Sequence, residues 1–189
     1  MELFGHIRVV MGIILSLSIA RLLAGLARIV QHPGRKPVYW VHLGWALSLF
    51  LSLVHLWWWE FRLAQLADWS FLRYLFVVGY ITLYYFLCAL LFPEQMDEYA
   101  GYRDYFYSRR AWFFGGLALA YALDVVDTLL KGRGYLLGFG GEYLLRNGVY
   151  VALCLLAMRT RNAAFHAVFV AANLVYQVSW ILRVYEVIG

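Results

Sequence analysis

Charged side chains in this sequence fall either in short polar connections or inside stretches that are otherwise apolar. The second kind asks for a physical reason, because a charge at the centre of a lipid-embedded helix costs about 2.5–3.5 kcal/mol on insertion scales. Arg21 lies in the apolar run from Ile7 to Val30, and Asp124 and Asp127 lie in the run from Ala111 to Leu130. Helical spacing places Ser18, Arg21, Gly25 and Arg28 on one stripe, and Tyr121, Asp124, Thr128 and Lys131 on another. The simplest expectation pairs Arg21 with Asp124, with Asp127 beside them, across adjacent helices. A bidentate guanidinium–carboxylate contact would satisfy both groups away from water. Such a pair is either a static lock or a charge relay, and intramembrane ion pairs serve both purposes.

A second constellation is His55-Leu56-Trp57-Trp58-Trp59-Glu60, in which His55 and Trp59 are one helical turn apart on the face of Ser48, Ser52 and Arg62. The H-x-x-x-W spacing resembles the gating pair of the influenza-type viral proton channels, a resemblance confined to these five residues. It implies an imidazole that carries the proton and an indole that covers its charged form. The alternative is an interfacial aromatic belt, where tryptophans near a helix end are common. Asn173, Gln177 and Trp180 share a stripe further on, and Tyr80 and Tyr84 offer hydroxyls. These groups either bond between helices or line a polar path. The candidate polar interior is therefore Arg21, His55, Trp59, Glu60, Asp124, Asp127, Asn173 and Gln177. His55 would titrate, Asp124 and Asp127 would accept a cation or proton, and Arg21 would be the fixed counter-charge.

Haem is the one cofactor considered, with His42, His55 and His166 (and His6) as ligands for a bis-histidine site, although a lone helical histidine is more often a hydrogen-bonded core residue. No cofactor is expected otherwise. The sequence has no metal-spaced His/Cys cluster, no Ser-His-Asp order and no phosphate-binding loop, so a metal site and an enzyme are not expected. Cys88 and Cys154 both fall in apolar stretches and suggest no disulfide framework.

The elements that must position these residues follow from composition. Of 189 residues, 64% are hydrophobic and 14% charged, with mean hydropathy +0.68, whereas soluble domains carry about 25% charged residues. A domain this small cannot hide so much apolar surface from water, but lipid accepts it. The expected fold is all-α, one polytopic transmembrane domain over residues 1–189. Its six spans cover roughly 7–30, 38–63, 71–92, 111–130, 142–158 and 163–188, and the first is read as a retained helix. Pro33, Gly34 and Pro37 stop the first span, Asp68-Trp69-Ser70 starts the third, and Pro93 ends it. Residues 94–110 alternate charged and aromatic positions at three- and four-residue steps, predicting an interfacial amphipathic helix. Gly12 to Arg28 aligns with Gly115 to Lys131 at constant offset, as an inverted repeat would.

Loop arginines favour a topology with both termini outside, in a plasma membrane of the bacterial inner-membrane kind. The formal charge of +5 suits anionic lipid headgroups and does not point to nucleic acid. Gly12, Ser16 and Ala20 at four-residue spacing give a close-packing face for homo-oligomerisation. The function expected is an ion, proton or small-solute channel or transporter. The alternative is a non-transporting membrane subunit or scaffold that binds a partner protein or a prosthetic group such as haem.

Overall fold

The computed structural model describes residues 2–66 and 69–185. Those residues form seven helices and no strand: α1 (Glu2–Gln31), α2 (Trp40–Trp59), α3 (Phe71–Leu91), α4 (Tyr102–Leu130), α5 (Arg133–Gly138), α6 (Gly140–Arg159) and α7 (Ala163–Tyr185). A 3-10 turn over Glu60–Gln65 follows α2. Helices α1, α2, α3, α4 and α7 are each long and apolar enough to cross a bilayer. With the long α6 they alternate in direction, as short connections require. The chain is a multi-pass helical membrane bundle. Asp68, the side chain of Arg62 and the end of the sixth expected span lie outside the described residues.

Ring closure comes from α2, α3, α4, α6 and α7. Helix α4 packs extensively on α6 and on α3, α2 packs on α7 and α3, and α6 touches α7 only sparsely. Helix α1 stays outside this ring, laid against α3 and α2. The α1 and α4 segments that align in sequence thus occupy unlike places. Ser16 and Ala20 remain at the outer surface.

Ser70 caps α3 as its sequence suggests, its Oγ accepting from Arg73 N at 3.3 Å. The far end of α3 stops at Pro93, and its last carbonyls are satisfied by side chains. Tyr105 donates to Leu90 O at 2.6 Å, His42 Nε2 to Leu91 O at 2.6 Å, and Arg21 Nη2 to Phe92 O at 3.3 Å. Orphan helix-end carbonyls buried in a bundle need such donors.

No separate interfacial helix covers 94–110. Residues 92–101 form turns, and α4 begins at Tyr102 and runs unbroken into its span. Tertiary contacts override the amphipathic periodicity here. The turns are clamped to the α1–α2 connection by Arg28 to Glu94 O (3.0 Å), Lys36 to Tyr99 O (2.6 Å) and Tyr102 N to Pro37 O (3.1 Å). Gly101 permits that approach, since a Cβ there would meet Pro37 Cγ at 2.6 Å.

Gly25 does the same for α1. A Cβ built on it would fall inside the Phe92 ring, so Gly25→Ala must push α1 off the end of α3. Overpacking of this kind costs about 1–3 kcal/mol, and a lowered unfolding midpoint in detergent micelles is the expected measurement.

Candidate functional site

A cavity of about 80 Å³ lies inside the five-helix ring, and all five helices line it. That volume holds several waters, since one water needs about 10–15 Å³. It occupies the half of the bundle nearer the end of α2 and the start of α6. Six tyrosines face it: Tyr80 and Tyr84 from α3, Tyr121 from α4, Tyr143 and Tyr150 from α6, and Tyr176 from α7.

Its charged centre is Asp124. Oδ2 accepts from Tyr143 Oη (2.7 Å), Arg146 Nη2 (3.1 Å) and Asn147 Nδ2 (3.1 Å), and Oδ1 accepts from Tyr80 Oη (3.3 Å). The Arg146 guanidinium sits 5.0 Å from the Tyr143 ring centre and 4.8 Å from that of Trp180. Flat faces on a guanidinium stabilise its charge while it stays partly desolvated.

From Asp124's neighbourhood a hydrogen-bonded chain crosses the cavity floor. Tyr121 donates to Asn173 Oδ1 (3.3 Å), Asn173 Nδ2 to Ser48 Oγ (2.6 Å), Ser48 to Gln177 Oε1 (3.0 Å) and Gln177 Nε2 to Ser52 Oγ (2.9 Å). Beyond this floor the ring fills with aromatic side chains. One turn further along α2 and α7 lie Trp45 and Phe169, and Trp45 packs edge-on against Phe113, Phe114 and Phe169 with ring centres 5.7, 5.3 and 5.1 Å away. All four rings are buried. This aromatic plug closes the ring at that level.

His55 and Trp59 both line the cavity, perpendicular to each other with ring centres 5.7 Å apart. The H-x-x-x-W pair therefore faces the interior, within cation–π reach.

A second ionic cluster adjoins the cavity. Lys131 Nζ lies 3.0 Å from Glu60 Oε1 and 2.5 Å from Asp127 Oδ2, with all three side chains only 1–2% exposed. The Trp59 ring covers Lys131 at 5.4 Å, and Phe139 and Tyr135 pack on the same indole. Gly132 (φ +128°) and Gly140 (φ +65°) make the tight turns that fold α5 over this end; other residues rarely adopt that backbone region. Glu60 is one residue beyond α2. Burial, and then the Asp127 carboxylate, push its carboxyl well above the usual carboxylate range.

Of the residues expected in the interior, His55, Trp59, Asp124, Asn173 and Gln177 share the cavity, while Glu60 and Asp127 join the adjacent cluster. Arg21 belongs to neither. It does not pair with Asp124 but holds Phe92 O, with Glu94 Oε1 at 3.8 Å, because α1 lies outside the ring. The counter-charges are Arg146 and Lys131. Lys131, at the end of the Asp124 stripe, has a buried side chain.

The histidines proposed for haem are not arranged as a ligand pair. His42 and His166 each turn Nε2 to a backbone carbonyl, Leu91 O and Thr160 O (3.1 Å). Each ring sits in its own aromatic nest, His42 among Phe92, Tyr102 and Tyr105, and His166 among Phe106, Tyr107 and Phe114. His55 is at the opposite end, in the cavity. Among the described residues no cluster of three or more His, Cys, Asp or Glu could hold a metal ion.

The sparse α6–α7 seam is strapped by Glu142, which takes a bidentate contact from Arg183 (2.8 and 3.2 Å) and a hydrogen bond from Tyr176 (2.8 Å). Exposed straps contribute little to stability. Glu142→Gln should leave the unfolding midpoint nearly unchanged yet speed thiol labelling of a Ser52→Cys reporter in the cavity. An unchanged labelling rate would show that the strap does not govern access.

Comparison of the chain with family models, with curated proteins and with solved structures gives no match.

Proposed function

We propose that this protein is a carrier-type transporter for a small polar solute, seated in the tyrosine-lined cavity, and not an open pore. What carries the reading is the aromatic plug that bounds the cavity. Asp124, Arg146, His55 and the Ser48–Asn173–Gln177 chain lie on one side of the aromatic plug of Trp45, Phe113, Phe114 and Phe169. A pore needs a continuous wet path, whereas an alternating-access carrier holds its site near mid-membrane and closes one side at a time. The topology expected from loop charges would put the cavity mouth on the outer face.

The solute's chemistry follows from the walls. Asp124 and Arg146 neutralise each other, so the cavity offers no net charge to a strongly ionic solute. Tyrosine faces and amide groups fit a compact zwitterionic or uncharged molecule with hydrogen-bonding edges and a flat apolar part. A thermal-shift panel of such solutes tests this. At least one should raise the unfolding midpoint of the wild type and fail to do so in Gln177→Leu. An ohmic ion conductance in planar bilayers without added solute would contradict the carrier reading.

A further inference from the structure

We infer that Glu60, Lys131 and Asp127 form a proton-binding site coupled to the cavity, so that the carrier is driven by protons; this rests on the transporter reading above. Two carboxylates share one ammonium at 1–2% exposure. With every group ionised the cluster holds one uncompensated negative charge in a water-poor interior, a state expensive enough that such groups neutralise instead. Binding one proton removes it. The O–H bond formed on Glu60 is matched by one broken in a hydronium ion of the aqueous phase, which leaves as water.

Glu60 has a place for that proton. Oε1 holds Lys131, while Oε2 is buried and has no hydrogen-bond partner among the described residues. It also has a route. A cleft of about 10 Å³, the size of one water, is lined by Phe4, Arg8, Met11, Trp57 and Glu60 beside α1. It is separate from the cavity, so proton and solute would enter by different doors.

Among the described residues, the charged groups facing the site are these. Arg8 of α1 lies across the cleft, and Lys131, Asp127 and, one turn on, Asp124 come from α4. Arg146 and Tyr143 of α6 engage Asp124, His55 of α2 lies beyond Trp59, and Tyr135 of α5 packs on that indole. Coupling has a physical carrier in Trp59, whose ring covers Lys131 and also walls the cavity. Asp124 and Asp127 sit three residues apart on α4, so a charge change at one is felt at the other. A protonated Glu60 leaves Lys131 to Asp127 alone and shifts the wall against which the solute rests.

Two measurements on the reconstituted full-length chain test this. Infrared difference spectra between acid and alkaline pH should show a titrating, deuterium-sensitive carboxylic-acid band in the wild type. The band should be lost in Glu60→Gln, with helical circular dichroism and a monodisperse profile retained. Asp127→Asn, which leaves Glu60 in place, should move the band and not abolish it. In parallel, the labelling rate of Ser52→Cys relative to its Glu60→Gln counterpart should change with pH, by about tenfold for each unit of proton-affinity difference between open and closed states. A band absent from the wild type, or unaltered by Glu60→Gln, overturns the proton site. A normal band with a pH-independent labelling ratio overturns the coupling. A Ser52→Cys reporter that never labels overturns the cavity reading itself, while the infrared result still decides the proton site.

Discussion

Lys131→Met should abolish assembly of a monodisperse protein, and Lys131→Met combined with Glu60→Gln and Asp127→Asn should restore it. The single change removes the cation that, among the described residues, contacts both carboxylates, which are 1–2% exposed. Breaking a buried ion pair from one side costs about 3–5 kcal/mol, a large share of the 5–15 kcal/mol that typical domains possess. The triple variant removes the charges altogether, and a buried neutral amide costs less than a buried unpaired charge. Size-exclusion profiles and unfolding midpoints in detergent check both halves. A folded single variant, or an unrescued triple variant, would mean that the lysine acts otherwise than as a counter-charge.

Asp124→Ala is the second change with a large expected effect. It removes at once the acceptor used by Tyr80, Tyr143, Arg146 and Asn147, and it leaves the Arg146 guanidinium between two aromatic rings with no carboxylate. The pair is 14–20% exposed, so some hydration offsets the loss, and the expected cost is about 2–3 kcal/mol, below the fully buried case. Asp124→Asn, which keeps an acceptor for Tyr143, should lose less. Adding Arg146→Met to Asp124→Ala should cost little more, with an interaction energy of about 1–3 kcal/mol in the double-mutant cycle. Additive losses would show that the two side chains are not energetically paired. Any solute found to stabilise the wild type should cease to do so in both single variants.

The membrane class and the helical fold were legible because hydropathy over some twenty residues reports the solvent directly. Helix α6 strained that rule. Glu142, Arg146 and Arg159 make it too polar to match the other spans, and of these Arg146 goes to the cavity and Glu142 to the strap. The stripes on α1 and α4 were legible too, since periodicity fixes which residues share a face. What periodicity does not encode is which faces meet. Arg21 and Asp124 both needed partners, and each found one on an element whose position depends on the whole ring: Phe92 O beyond α3 for the first, Arg146 on α6 for the second.

Arg146, Tyr143 and Asn147 escape notice in the sequence because they follow the glycine-rich stretch at 138–141 and resemble a helix entry. The cost argument that singles out Asp124 applies to Arg146 as well, and its spacing four residues after Glu142 was the available cue. Lys131 hides for a similar reason. It shares the Asp124 stripe but lies just past the end of α4, where the sequence does not reveal that α5, turned by the positive-φ backbone at Gly132 and Gly140, folds over it.

A carrier of this kind needs a cavity that opens to one face and ends at a plug. Ser52→Cys in reconstituted vesicles of known orientation measures this directly, with a membrane-impermeant thiol reagent applied from each side in turn. The native thiols Cys88 and Cys154 are wholly buried, and the parent chain gives their background. Labelling from the face carrying the α2–α3 connection, and none from the face carrying the α1–α2 connection, is the predicted result. Equal labelling from both faces would mean a continuous pore through Trp45, Phe114 and Phe169, and would contradict it.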